Sequence, residues 1–166
     1  MLRWAISEYN GPVAVRYPRG GEKTFADSAW TGMDDSQVCC HRTGKDVTLL
    51  TYGILLEETM TAADELAKQG IEATVLRLLR VSDLPVEEIM EKRASDGPLV
   101  VVEETAAFSG IREALACAVQ EKTKSCRVYG LDLGPEFVSH GSRTELLCDC
   151  GLDGASIAKF VREVLS

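Results

Sequence analysis

The sequence predicts an α/β fold, a three-layer α/β/α sandwich on a five-stranded mixed sheet that is mostly parallel with one antiparallel edge strand. Three observations predict it. Short apolar runs alternate with longer amphipathic stretches along residues 37–166. The run Leu99-Val100-Val101-Val102 is continuously apolar, as in a strand buried on both faces at a sheet centre. Hydrophobic content of 45% and charged content of 27% in 166 residues suit one folded domain of ordinary size with a single core.

Each element has its own reason. Residues 37–42 are short and half polar, and Thr43-Gly44-Lys45 follows, which predicts an edge strand paired as an antiparallel hairpin with residues 46–52. After Gly53, residues 55–69 have a helical period, with Leu56, Met60, Ala63 and Ala67 on the inner face and Gly70 closing the helix. Residues 73–79 form the next strand. Pro85 opens a helix in its tolerated first turn. Residues 99–103 are the central strand, 110–123 a helix, 127–131 the last strand, and 144–150 and 154–165 the closing helices.

Residues 21–36 have no sustained period and are rich in small and acidic residues, the mark of a linker. Residues 1–20 are then an arm ahead of the main domain. Within it, Gly11-Pro12-Val13-Ala14-Val15 is an apolar strand running into Arg16-Tyr17-Pro18-Arg19-Gly20. Guanidinium groups at a strand's carboxyl end suit a phosphate or carboxylate, because the planar fork donates two parallel hydrogen bonds and keeps its charge. The plainer alternative is a strand-to-linker turn with both arginines solvated.

Charge and composition exclude several roles. A formal charge of −8 with scattered basic residues argues against nucleic acid as a partner. The apolar runs are too short to cross a bilayer and Met1-Leu2-Arg3-Trp4 opens no signal peptide, so the chain is expected in the cytoplasm without a membrane partner. Six cysteines without zinc-knuckle spacing read as reduced thiols rather than as a metal site through Cys148, Cys150 and His140. No Gly-x-Gly-x-x-Gly follows a strand and no Walker loop is present, so a nucleotide site lacks support.

The turns after the strands carry the remaining candidates. Glu103 and Glu104 could act as acid and base or hold a cation, but successive strand side chains point to opposite faces. The simpler reading has one carboxylate capping a loop or pairing with an arginine and the other solvated. His140 sits in a loop ahead of Ser142, a natural helix cap, and no serine or cysteine nucleophile lies in a recognisable elbow. No residue is assigned a catalytic role.

Several segments, taken together, resemble a known family: Gly11 to Gly20, then Asp46-Val47-Thr48-Leu49-Leu50-Thr51-Tyr52-Gly53, Val101-Val102-Glu103-Glu104, and Phe137-Val138-Ser139-His140-Gly141-Ser142-Arg143-Thr144-Glu145-Leu146-Leu147 with Gly151-Leu152-Asp153. In this order they resemble the 1-deoxy-D-xylulose-5-phosphate synthases, specifically the carboxyl-terminal transketolase-like domain preceded by the last strand of the pyrimidine-binding domain. The His140-Gly141-Ser142-Arg143 segment followed by Gly151-Leu152-Asp153 sets this family apart from transketolases proper and from 2-oxo acid dehydrogenase β subunits.

The resemblance implies a division into residues 1–20 as the last strand of the pyrimidine-binding domain, 21–36 as linker and 37–166 as the transketolase C-terminal-like domain. It implies a homodimeric transferase using thiamine diphosphate and magnesium to condense pyruvate with D-glyceraldehyde 3-phosphate, on a path to isoprenoids, thiamine and pyridoxal phosphate. The family's magnesium ligands and activating glutamate belong to stretches this chain does not contain, so no cofactor is expected on it and it is expected to be inactive without the amino-terminal and pyrimidine-binding domains. Arg19 matches the family position that grips the substrate phosphate. The chain departs from the pattern at Thr105-Ala106-Ala107-Phe108-Ser109-Gly110, where the family usually has histidine or asparagine and then paired glycines. Two other readings stay open: a free-standing non-catalytic assembly subunit, and the C-terminal domain of a transketolase or a 2-oxo acid dehydrogenase β subunit.

Overall fold

A computed structural model describes residues 2–14, 37–94, 97–123 and 125–166. Its elements in chain order are α1 (Leu2–Ser7), β1 (Val38–Arg42), β2 (Val47–Tyr52), α2 (Leu56–Ala67), β3 (Ala73–Leu78), α3 (Val86–Lys92), β4 (Leu99–Val102), α4 (Arg112–Lys122), β5 (Val128–Leu131), α5 (Arg143–Asp149) and α6 (Gly154–Leu165). The strands form a five-stranded sheet in the order β1-β3-β2-β4-β5, with β1 antiparallel to β3 and all other pairs parallel. This is the mixed α/β sheet the sequence predicts.

Alternation along the strands builds the layers, because successive side chains face opposite sides. Val47, Leu49, Ala73, Val75, Val100 and Val102 point to the side covered by α2, α5 and α6, where they meet Leu56, Leu66, Leu147, Ile157 and Val161. Leu50, Leu76, Leu78, Leu99 and Val101 point to the other side, against Val86 and Ile89 of α3 and Leu115 and Val119 of α4. The central strands β2 and β4 therefore contribute to both clusters. Buried threonines are satisfied: Thr51 Oγ1 donates to the Val102 carbonyl at 2.9 Å, and Thr48 Oγ1 accepts from the Ala94 N–H at 2.8 Å.

Two expectations are corrected. Strand β1 does not form a hairpin with β2; it pairs with β3, Val38 opposite Leu78 and Cys40 opposite Leu76. The short link between β1 and β2 instead crosses the start of β3, where the Lys45 and Asp46 N–H groups both donate to the Glu72 carbonyl at 3.0 and 2.9 Å. Gly44 makes the crossing possible, since a Cβ there would overlap the Glu72 carbonyl and the Ala73 backbone. The inner face of α2 is also shifted. Leu56, Thr59, Ala62, Ala63 and Leu66 are buried, whereas Met60 and Ala67 are only partly so. The helix is wedged between the sheet and α6, which rotates its buried arc toward Thr59 and Ala62 and places Gly154 of α6 directly against Thr61.

The helix ends follow the sequence signals. Gly70 has φ of 79°, a left-handed conformation open to glycine, and lets the Ile71 N–H reach back to the Leu66 carbonyl at 3.1 Å. Ser142 caps α5 in a reciprocal capping box with Glu145, and the Asp153 carboxylate caps α6 by accepting from the N–H groups of Ala155 and Ser156 at 3.1 and 3.2 Å. At the start of the chain Leu2–Ser7 is helical, and residues 12–14 have no regular secondary structure. Val15, which ends the expected strand, the following residues 16–20 with Arg16 and Arg19, and the linker at 21–36 lie outside the described residues.

Candidate functional site

The connections leaving β2 and β4 diverge. Helix α2 carries the chain from β2 to β3 on one side of the sheet, and α4 carries it from β4 to β5 on the other. Open α/β sheets place their crevices at such a switch point, beyond the carboxyl ends of the strands.

Two side chains meet in that gap. Tyr52, the last residue of β2, donates its phenol to Glu103 Oε2 at 3.1 Å. Glu103 follows β4 and is only 3% exposed. Its Oε2 also accepts from the Ile111 N–H at 2.8 Å and its Oε1 from the Arg112 N–H at 3.4 Å, so it closes the amino terminus of α4, which has no cap of its own. Gly110 is the counterpart in the chain, because a Cβ there would overlap the carboxylate. Burial, with the adjoining Glu103 charge and hydrogen bond, pushes the Tyr52 phenol above its ordinary pKa. The loop from Glu103 to Gly110 turns at Phe108, which has a φ of 64° although it is not glycine and is 82% exposed.

Glu104 points away and is exposed. It lines a cleft of about 660 Å³ at the carboxyl ends of β2, β4 and β5. The wall is mostly apolar, from Ile54, Leu133, Val138 and Leu146, and among the described residues its charged groups are Glu104 and Arg143. On the far side of the sheet edge, Arg112 pairs with Asp132 at 3.0 Å and with Glu113 at 2.6 Å, which ties the end of β5 to α4.

The acidic dipeptide is therefore split: one carboxylate fastens a helix and a phenol, and the other is solvated at the cleft. His140 is exposed in the loop before α5. All six cysteines are thiols, Cys39 and Cys126 buried and Cys150 in the cleft wall, and burial raises the pKa of Cys39 and Cys126. Among the described residues no group of three or more His, Cys, Asp or Glu side chains could hold a metal ion. The described residues do not fit a magnesium site. Sequence reasoning missed Tyr52 and Arg143 as site residues. The signal for Tyr52 was its place at a strand end before Gly53; for Arg143 it was the apolar pair Leu146 and Leu147 one turn later, which sets it at a cleft rather than in open solvent.

Residues 36–157, which include Tyr52, Glu103, Glu104 and Arg143, match the family model described as transketolase, C-terminal domain. The chain belongs to the transketolase C-terminal domain family. Its curated relatives include the 1-deoxy-D-xylulose-5-phosphate synthase of Heliobacterium modesticaldum, 34% identical over 99% of this chain and 25% of that protein. The same enzyme of Thiobacillus denitrificans is 34% identical over 95% of this chain and 25% of the relative. The chain thus spans about a quarter of the length of the curated relatives it matches. Among solved structures, a split-gene transketolase in an inactive β4 tetramer superposes with a TM-score of 0.69 at 24% identity, over 77% of this chain and 42% of that one. A Pichia stipitis transketolase complexed with sedoheptulose 7-phosphate gives 0.56 at 18% identity, over 78% of this chain and 18% of that one. These superpositions show the transketolase C-terminal fold. Among the described residues no helix is long and apolar enough to cross a membrane.

Proposed function

We propose that this transketolase C-terminal domain is part of a 1-deoxy-D-xylulose-5-phosphate synthase, a thiamine diphosphate-dependent transferase that condenses pyruvate with D-glyceraldehyde 3-phosphate and releases carbon dioxide. The observation that carries the reading is 34% identity along 99% of the chain to an enzyme of that name, a match that includes the arm at residues 1–20 as well as the domain. In this reading the missing amino-terminal and pyrimidine-binding domains hold thiamine diphosphate and magnesium, the enzyme is a cytoplasmic homodimer, and the 166 residues are inactive alone. Arg19 grips the phosphate of the aldehyde, a role the planar, always charged fork of a guanidinium suits.

The test has two steps. An immunoblot of source-cell lysate with antibody to residues 37–166 is expected to reveal a polypeptide several times this chain's size. A band of the chain's own size would instead favour the free-standing assembly subunit. In the full-length enzyme, Arg19→Ala removes a charge-assisted phosphate contact worth about 1.5 to 3 kcal/mol, so KM for the aldehyde should rise about tenfold to a hundredfold while KM for pyruvate changes little. Equal changes in both constants would remove Arg19 from the phosphate site.

A further inference from the structure

The cleft between Glu104 and Arg143 has the makings of a binding site that the proposed transferase reading does not use. Its volume of about 660 Å³ falls within the span of small-molecule sites. It lies beyond the carboxyl ends of β2, β4 and β5, at the point where the helices diverge to opposite sides of the sheet. Ile54, Leu133, Val138 and Leu146 form an apolar wall. Arg143 is half-buried at that wall, and its Nη2 is shielded from solvent without a hydrogen-bond partner among the described residues.

A shielded guanidinium nitrogen without an acceptor is costly, because the donor has lost water and gained nothing in exchange. Glu104 shares the cleft but does not supply that acceptor to Nη2. No described residue supplies that acceptor, and the cleft has room for one carried by a ligand. A carboxylate fits, since it takes two parallel hydrogen bonds from the guanidinium fork. The apolar wall asks for a hydrocarbon body on the same molecule. Glu104 sets the charge, as a second negative group on the ligand would share the recess with a carboxylate.

We propose that this cleft binds a small organic monocarboxylate, its carboxylate on Arg143 and its branched or aromatic body against Ile54, Leu133, Val138 and Leu146. The inference rests on the cleft and not on the transferase reading, and it is tested on the 166-residue chain without any activity assay.

The experiment is an amide chemical-shift titration of the ¹⁵N-labelled chain with sodium 3-methylbutanoate at constant ionic strength. Saturable shifts are expected at Ile54, Glu104 and residues 141–147, weakened about tenfold or more by Arg143→Gln and by replacing the probe with 3-methylbutanol. Arg143→Lys keeps the charge and the stem without the fork and should retain only part of the affinity, which preserves the test if Arg143→Gln fails to fold. Glu104→Gln should strengthen the binding of inorganic phosphate, which the native cleft takes more weakly than 3-methylbutanoate. Absence of saturable shifts, equal binding of the alcohol and the acid, or indifference to both Arg143 variants would overturn the proposal. Phosphate binding tighter than 3-methylbutanoate to the native chain would overturn it as well.

Discussion

Glu103 is a carboxylate whose surroundings decide what it can do. Taken out of water, it stays in place through two backbone donors of the α4 terminus and the Tyr52 phenol. Glu103→Ala removes an acceptor that all three donors share, and should lower stability by about 2 to 3 kcal/mol, read as a lower urea midpoint with unchanged slope. Tyr52→Phe leaves the backbone donors in place and should cost less. The same contact gives an alkaline signature. The Tyr52 pKa is raised in the folded state, so an unfolded chain loses its phenolic proton first as pH climbs past about 10. Stability from this group is complete below that pH and drains away as pH rises toward the folded value. Urea melts at pH 9 and pH 11 should show a loss that Tyr52→Phe reduces; an identical loss in the variant would dissociate Tyr52 from it. None of this was legible in the acidic dipeptide alone. Strand alternation correctly separates Glu103 from Glu104, but which of them turns inward depends on the path of residues 105–110, and that path is fixed by tertiary contacts such as the Ala107 N–H on the Gly134 carbonyl at 3.0 Å.

At the scale of elements the sequence is most readable where a single residue type is forced by local geometry. The cap of α5 follows from Ser142 and the end of α2 from Gly70, whereas the Asp153 cap of α6 was not read from the sequence. The partner of β1 is not local. A short polar turn between two strands reads as a hairpin, and only the contact of Gly44 with the start of β3 shows that the link passes over another strand. Gly44→Ala should therefore cost about 1 to 3 kcal/mol, with hydrogen exchange accelerated in β1 before the rest of the sheet. An unchanged β1 would mean that the crossing tolerates a methyl group. Asp153→Ala should cost about 1 kcal/mol through the α6 terminus. Burial raises the Asp153 pKa, but hydrogen bonds with Ser156 and Ala155 outweigh it and hold the carboxyl below its ordinary value. The contribution is thus present above about pH 4 and is lost as pH falls through the lowered folded value, so the variant's deficit should shrink in acid.

For the whole molecule, the sheet is one body shared between two apolar clusters, and that sharing governs how it comes apart. Leu49 and Leu50 are neighbours on β2, yet Leu49 packs under α2 and α6 while Leu50 packs under α3 and α4. Loss of either helical layer strips one face of the same strands, and the apolar runs of β2 and β4 have no polar face to turn to water. The two layers should therefore unfold together. Leu66 of α2 and Leu115 of α4 are both fully buried on opposite sides of the sheet. Leu66→Ala and Leu115→Ala should each destabilise by about 2 to 5 kcal/mol, and the double variant by nearly their sum, because they share no partner side chain across the sheet. Far-ultraviolet and near-ultraviolet circular dichroism should trace coincident urea transitions in all three proteins. Two separated transitions, with Leu66→Ala moving one and Leu115→Ala the other, would show that each layer with its face of the sheet folds as an independent unit, and that the strands common to both do not couple them.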